Sequence, residues 1–162
     1  MNDQDEQQVT PVKSGMSIGW VVAVLLVAVA WAGAYALRGS GEKEVVEGWA
    51  DGMAAGQILA QETDKPMVVF FTAGWCPPCK VIKKNVLAKS EVNDALQAGF
   101  VPVQIDLTDQ SASNPNMATA QAYNVRGIPA IIAMTPKGEP IDVYTGEPQP
   151  TAFIGWLDQL SQ

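Results

Sequence analysis

Apolar and polar positions divide the chain into one long apolar segment and a following region of shorter segments. Residues 18–37 are twenty consecutive uncharged positions rich in Val, Ala and Leu. Apolar runs of strand length follow, separated by segments with helical spacing; these runs are 67–72, 100–107 and 128–134. The alternation predicts an α/β domain in which helices flank a central mixed β-sheet.

Helices are expected before, between and after these strands, and their apolar spacing predicts which side chains face the core. Asp51 is the expected N-cap of a helix over 52–62, and Thr151 that of the last helix. The first of these helices has Met53, Ile58 and Leu59 among its apolar positions. The helix that follows the strand 67–72 is predicted to bury Val81, Ile82 and Val86 and to expose Lys80, Lys83 and Lys84.

The apolar segment at 18–37 has the length of a membrane-spanning helix. Trp20, Trp31 and Tyr35 lie towards its two ends, as interfacial aromatic residues do. A cleaved signal peptide is the alternative, because Ala-Tyr-Ala at 34–36 has the pattern of a cleavage site. The acidic character of the preceding tail and the length of the apolar run favour an uncleaved anchor in the lipid bilayer.

The expected organisation is a polar tail over 1–17, a transmembrane helix over 18–37, a linker over 38–47 and a folded domain over 48–162. Lysine and arginine residues beside the apolar segment are too few to determine its orientation. A lone N-terminal span most simply holds the following domain outside the cytoplasm. We therefore expect a single-pass protein of the inner (cytoplasmic) membrane with its folded domain in the periplasm or on the extracytoplasmic side.

Both cysteines stand in the sequence Trp-Cys-Pro-Pro-Cys-Lys at 75–80, directly after the apolar run 67–72. A strand followed by Cys-x-x-Cys at the start of a helix is typical of a redox site. Free N–H groups and the helix dipole would stabilise a thiolate at Cys76. Cys79, one turn further on, would attack a mixed disulfide formed by Cys76. Cys76 and Cys79 are therefore the predicted catalytic residues.

Composition argues against several other functions. The net charge of −7 argues against nucleic acid as a partner. The chain has no histidine, which excludes Cys–His hydrolase chemistry, and its two cysteines are too few for a tetrahedral zinc site within one chain. We therefore expect neither a metal nor another cofactor. A buried, inert cysteine pair remains the structural alternative to a redox site.

From about residue 45 to residue 160, these motifs resemble the thioredoxin family. The shared motifs are the strand end that leads into Trp75-Cys76, the continuation Pro78-Cys79-Lys80, and Val-Arg-Gly-Ile-Pro at 125–129. Within the family the chain is most similar to membrane-anchored thioredoxins and to the C-terminal domain of the transmembrane disulfide reductase DsbD. The resemblance implies a thioredoxin-like fold, thiol:disulfide oxidoreductase activity, and a cis peptide bond between Ile128 and Pro129.

The resemblance also implies a substrate-binding surface that consists of Trp75, Pro77, Ile128 and Pro129. An extended substrate segment would pair with the backbone of Ile128. The implied partners are protein disulfide or dithiol substrates and a membrane electron donor of the DsbD type. The chain departs from the family at Phe70, where thioredoxins usually carry a buried aspartate that is thought to accept the proton of the second cysteine.

The expected function is a membrane-anchored thiol:disulfide oxidoreductase that reduces disulfides of extracytoplasmic proteins. Pro77 and Pro78 have no N–H group to donate to a Cys76 thiolate, which favours a reductant over a strong oxidant. The alternatives are a disulfide oxidase or isomerase on the same scaffold, and a non-catalytic assembly subunit with a thioredoxin fold. Phe70 is the main support for the non-catalytic alternative.

Overall fold

The computed structural model describes residue 19, residues 22–29 and residues 46–162. The chain separates into two compact units, Met1–Gly39 and Ser40–Gln162. In the first unit, residues 22–29 are helical and exposed. None of the helices in the described part of the chain has the length and hydropathy needed to cross a membrane. The tail 1–17, much of the apolar segment 18–37 and most of the linker 38–47 lie outside the described residues.

The second unit contains a five-stranded mixed sheet within residues 46–162, in the order β1-β3-β2-β4-β5. The strands are β1 (Ala50–Asp51), β2 (Met67–Thr72), β3 (Val101–Asp106), β4 (Ala130–Met134) and β5 (Pro140–Val143). Strand β3 runs parallel to β1 and β2, whereas β4 is antiparallel to both β2 and β5. The predicted mixed sheet is confirmed. Strand β1 was not predicted, because two residues carry no recognisable alternation of apolar and polar positions.

Five α-helices lie within residues 46–162 and cover both faces of the sheet. They are α1 (Met53–Thr63), α2 (Pro77–Ile82), α3 (Ser90–Gly99), α4 (Pro115–Ala122) and α5 (Pro150–Leu160). A π-helical turn, Lys83–Leu87, continues α2. Helices α2, α3 and α5 contribute to one hydrophobic cluster, and α1 and α4 contribute to the other.

Strand β2 is completely buried along its whole length. It has a neighbouring strand on each side and a hydrophobic cluster on each face, which explains its continuous apolar sequence. Val68 and Phe70 belong to the cluster that contains α2, whereas Met67, Val69 and Phe71 belong to the opposite cluster. The carboxyl end of β2 leads directly into the loop before Cys76.

Both predicted N-caps were wrong by one or two positions. Helix α1 is capped by Gly52, which has a φ of 87°, and Asp51 belongs to β1. A positive φ at this position favours glycine over a residue with a side chain. Helix α5 begins at Pro150 after the cap residue Gln149, so Thr151 already lies in its first turn. Proline at the first helical position explains this start, since its missing N–H group needs no partner there.

The apolar positions of α1 do not mark its buried face, and the predicted inner face of α2 and its continuation was wrong in part. In α1, Gly56 and Ala60 are buried, whereas Ile58 and Leu59 are exposed. The helix lies so close to β3 that only small side chains fit between them. In α2, Cys79 is buried, and Lys83, four residues further on at the start of the π-helical turn, is buried as well, so the prediction that Lys83 is exposed was wrong. Val81 is at the wrong spacing from Cys79 and is exposed.

We expect the substitution Gly56→Ala to destabilise the fold. A methyl group at residue 56 would clash with the Val103 side chain. Overpacking of this kind lowers the free energy of unfolding by about 1–3 kcal/mol, against a helix-propensity gain of at most about 1 kcal/mol. Gly155→Ala in α5 is the matched control, because no atom beyond the helix itself lies within 4 Å of the added methyl group. Urea unfolding followed by circular dichroism measures both, and equal stability of the two variants would contradict the close packing.

Candidate redox site

Cys76 and Cys79 lie at the start of α2, just beyond the carboxyl end of β2. Cys76 is the N-cap residue and has an extended backbone, Cys79 lies in the first helical turn, and the two sulfurs form a disulfide. Cys76 is 3% exposed and Cys79 has no exposed surface. Of the two residues, Cys76 is therefore the more accessible to a partner.

Backbone hydrogen bonds fix the turn that presents Cys76. Its N–H donates to the carbonyl oxygen of Ala73 at 3.1 Å, and its own carbonyl oxygen accepts from the N–H of Lys80 at 3.2 Å. The N–H of Cys79 donates to Cys76 Sγ at 3.3 Å. Pro77 and Pro78 occupy the first two helical positions and have no N–H group. Cys79 thus supplies the first N–H of the helix, and the sulfur of Cys76 accepts it as a capping oxygen would.

The core beside the disulfide is apolar where thioredoxins usually carry an acid. Phe70 is completely buried in the same hydrophobic cluster as Cys76 and Cys79. The ring of Trp49 packs edge to face against it, with 6.4 Å between ring centroids. The residue that pairs with Phe70 on β3 is Gln104, which is also completely buried. Neither position can take up a proton at ordinary pH, since neither phenylalanine nor glutamine titrates.

Thr108 joins the loop after β3 to the two residues before Cys76. The N–H of Gly74 donates to Thr108 Oγ1 at 2.7 Å, and the indole N–H of Trp75 donates to the Thr108 carbonyl oxygen at 3.2 Å. The N–H of Thr108 in turn donates to Asp106 Oδ1 at 2.7 Å. Sequence reasoning missed this contact. An aspartate at a strand end that is bonded to the N–H two residues later is an Asx-turn, so Asp-x-Thr at 106–108 was the available signal.

Trp75 and Pro77 are exposed on either side of Cys76, and the Trp75 side chain is 50% exposed. The Ile128–Pro129 peptide bond is cis, as the family resemblance implies. Ala130, the next residue, pairs with Phe71 near the carboxyl end of β2. The antiparallel register therefore brings Ile128 and Pro129 to the same end of the sheet as the two cysteines.

A cleft of about 210 Å³ adjoins Pro129 and was not predicted. The cleft is lined by Ile82 of α2, Val86 of the π-helical continuation, Ile131 of β4 and Phe153 of α5. Tyr144 and the loop that follows β5 complete the lining. The Tyr144 ring packs edge to face against Phe153, with 5.1 Å between centroids. The cleft is assembled by four elements, of which only α2 and its π-helical continuation are adjacent in sequence, so no single motif indicates it.

Two ionisable side chains near this end of the sheet have shifted pKa values. Burial, and secondarily the charge of Glu147, raises the pKa of the Tyr144 phenol, so this hydroxyl stays neutral and donates to the Glu147 carbonyl oxygen. Hydrogen bonds from the backbone N–H and hydroxyl of Ser111, each 2.9 Å long, lower the pKa of Asp109. Within the described residues, no cluster of three or more histidine, cysteine or acidic side chains could hold a metal ion.

Comparison with known proteins gives three relevant similarities. A sequence model of the thioredoxin-like domain matches residues 53–161. Over 85 residues the chain is 37% identical to the thiol:disulfide interchange protein DsbD of Cronobacter sakazakii, an alignment that covers 52% of this chain and 14% of that protein. Over 98 residues it is 30% identical to a thioredoxin of Rickettsia conorii, which covers 60% of this chain and 84% of the relative.

Solved structures agree with the sequence comparisons. The oxidised C-terminal domain of DsbD from Neisseria meningitidis superposes with a TM-score of 0.56 and 28% identity, covering 67% of this chain and 91% of that domain. Such a fold, with a Cys-x-x-Cys disulfide at a helix start, defines a thioredoxin-like thiol:disulfide oxidoreductase. The chain belongs to the thioredoxin-like domain family.

We expect Thr108→Val to loosen the loop before Cys76, because valine keeps the shape of threonine but has no oxygen to accept from the Gly74 N–H. Loss of one such hydrogen bond is worth about 1 kcal/mol. Hydrogen exchange at the Gly74 amide should accelerate by about fivefold, which corresponds to that free energy. Thr108→Ser keeps the hydroxyl and is the control. Equal exchange at Gly74 in the valine and serine variants would mean that the bond does not hold the loop.

Proposed function

We propose that this protein is a membrane-anchored thiol:disulfide oxidoreductase that reduces disulfides of extracytoplasmic proteins. The observation that carries this proposal is the disulfide at the start of α2, whose Cys76 is the more accessible sulfur. The relatives named as thiol:disulfide interchange proteins and thioredoxins support exchange chemistry. The alignment covers only 14% of the DsbD relative, so the reducing direction and the substrates are proposed for this chain on its own residues.

In the reducing direction, the Cys76 thiolate attacks one sulfur of a substrate disulfide, and the substrate S–S bond breaks. The Cys79 thiolate then attacks Cys76 Sγ, which breaks the mixed disulfide and closes the Cys76–Cys79 bond. The two substrate thiolates take up the two protons that the cysteines release, and two electrons pass to the substrate. A dithiol donor of the DsbD type, held in the membrane, would restore the reduced pair by the reverse exchange.

The proposed substrate-binding residues are Trp75, Pro77, Ile128 and Pro129. Trp75 and Pro77 would contact the substrate on either side of Cys76, since both are exposed there. The backbone of Ile128 would pair with an extended substrate segment and so add it to the sheet. Pro129 would close the groove beside the sulfurs, at the end of the sheet that the register with β2 defines.

The proposed anchor is the apolar segment 18–37, and the domain organisation is a tail over 1–17, this span, a linker over 38–47 and a redox domain over 48–162. Twenty uncharged residues and the helical conformation of 22–29 support the anchor. We place the protein in the inner membrane with its redox domain in the periplasm. There the domain would reach protein disulfides, which form and persist in that compartment.

The Cys79→Ser variant tests the exchange mechanism. It should form a mixed disulfide with a protein substrate through Cys76 and fail to resolve it, because serine cannot displace the substrate sulfur. Cys76→Ser is the matched control and should trap nothing, since the buried Cys79 cannot reach a partner. Non-reducing gels after acid quenching detect the adduct. Failure of Cys79→Ser to trap any substrate would exclude the catalytic role of the pair and favour an assembly subunit.

The equilibrium reduction potential in glutathione buffers tests the direction of electron flow. A value near about −270 mV, like that of thioredoxin, is expected for a reductant. A value of about −120 to −180 mV would instead assign the protein to the oxidases and isomerases.

Protease treatment of inverted and right-side-out membrane vesicles tests the anchor and its orientation. We expect the protein to stay with the membrane after carbonate washing and its redox domain to be degraded only in right-side-out preparations. Deletion of 18–37 should release the domain into the soluble fraction. Recovery of the intact chain in the soluble fraction, or protection of the domain on the cytoplasmic side, would contradict the proposed location.

A further inference from the structure

The segment of the chain that contains the redox site is rich in lysine and has no acidic residue. Residues 65–90 contain five of the ten lysine and arginine residues of the chain and none of its seventeen acidic residues, although the net charge of the chain is −7. The five are Lys65, Lys80, Lys83, Lys84 and Lys89. Four of them lie on α2 or directly after it, so the element that carries the disulfide is the basic part of an acidic protein.

Three of these lysines are exposed. Lys80, Lys84 and Lys89 reach solvent, and no ion pair of their side chains is found in the part of the chain that the structure describes. Lys80 and Lys84 are one helical turn apart and therefore lie on the same side of the helix. By contrast, Lys65 donates to the carbonyl oxygen of Gln97 at 3.1 Å, and Lys83 is buried. The exposed three thus keep their charge available to a partner.

Apolar side chains are exposed beside these lysines. Trp75 and Val81 are each 50% exposed, and Pro77 and Pro78 are also exposed. Pro77 and Val81 are four residues apart and lie on one side of α2, close to Cys76. Protein interfaces commonly place apolar anchors at the centre and charged side chains at the rim. We call the set Trp75, Pro77, Lys80, Val81, Lys84 and Lys89 the α2 face.

The acidic side chains on the neighbouring segments belong to other elements. Asp109 follows β3 and is bonded by Ser111, and Glu147 follows β5 and is bonded by Gln149. Glu91, which is exposed, lies in the first turn of α3, two residues after Lys89. A partner that approaches Cys76 across α2 meets lysines without meeting acidic residues of the same element.

We propose that the α2 face is a docking surface for partner proteins whose disulfide or dithiol is flanked by acidic residues. This inference rests on the proposed exchange function, because the face begins at the residues on either side of Cys76 and continues along the helix that carries the disulfide. Opposite charges raise the association rate of such a partner, and the effect declines as salt screens them. The favoured occupant is a protein, since an anionic bilayer seated on the same lysines would cover Cys76 and block exchange.

Two disulfide-bridged peptides test the preference, one flanked by glutamates and one by lysines but otherwise identical. The reduced full-length protein in neutral detergent reacts with each peptide in single turnover, and chromatography measures the second-order rate constant. At about 10 mM salt the acidic peptide should react about tenfold faster, and the ratio should approach one at about 0.5 M salt. Equal rates at low salt would overturn the docking proposal and leave the exchange function intact. Absence of exchange with either peptide would overturn the proposed function itself.

Charge reversal at one lysine localises the effect. Lys84→Glu should slow the reaction with the acidic peptide by about two- to fivefold and speed the reaction with the basic one. Lys137→Glu is the matched control with the same change in net charge. Lys137 is exposed in the turn after β4, whose residue Met134 pairs with Met67 at the opposite end of β2 from Cys76. Equal effects of the two variants would show that net charge alone matters and would overturn the proposal.

Lipid vesicles test whether an anionic membrane surface, instead of a protein, occupies the α2 face. The exchange rate with the acidic peptide is measured again with phosphatidylserine or phosphatidylcholine vesicles present. We expect neither kind of vesicle to change the exchange rate by more than added salt changes it through screening. Inhibition by phosphatidylserine vesicles alone, relieved by Lys84→Glu and not by Lys137→Glu, would assign the α2 face to an anionic membrane surface instead of a protein.

Discussion

The burial of β2 is the constraint on which the redox site depends. Its six residues have no exposed surface, because the strand lies between β3 and β4 and between two hydrophobic clusters. A strand held on four sides has one available register, since a slip by one residue would turn each side chain towards the wrong cluster. Cys76 lies four residues after the end of this strand. The packing of β2 in the core therefore determines the position of the Cys76 sulfur.

Much of the fold could be predicted because the sequence signal is local. The strand β2 was predicted with its observed limits, since five consecutive apolar residues followed by a threonine, between turn signals, are typical of a doubly covered strand. The inner faces of the helices were harder to predict. Gly56 is buried because the neighbouring Val103 leaves room for no larger residue, and a hydrophobicity pattern does not encode such a close approach. Lys83 is buried although it carries a charge, and a pattern of apolar and polar positions assigns such a residue to the surface.

The same difference between local motifs and tertiary contacts decides which parts of the redox site could be predicted. The cysteine pair and the cis bond before Pro129 lie within short motifs, and the structure has both at the end of the sheet where β2 finishes. Thr108 was not predicted as part of the site because two of its three hydrogen bonds join segments more than thirty residues apart. The third hydrogen bond lies within its own turn. The cleft beside Pro129 requires four elements to assemble before it exists. Contacts that depend on tertiary packing give only a weak sequence signal.

The unequal burial of the two sulfurs bears on oxidative damage. Peroxides oxidise an accessible thiolate to a sulfenic acid, and further oxidation to sulfinic or sulfonic acid is generally irreversible. In the disulfide form Cys76 is the more exposed of the two residues, so after reduction we expect peroxide to attack its thiolate first. A Cys76 sulfenic acid would meet the Cys79 thiol within the same helical turn and condense with it to the disulfide, with loss of water. The chain has no other cysteine, so the ordinary resting disulfide would also be the end point of a peroxide attack.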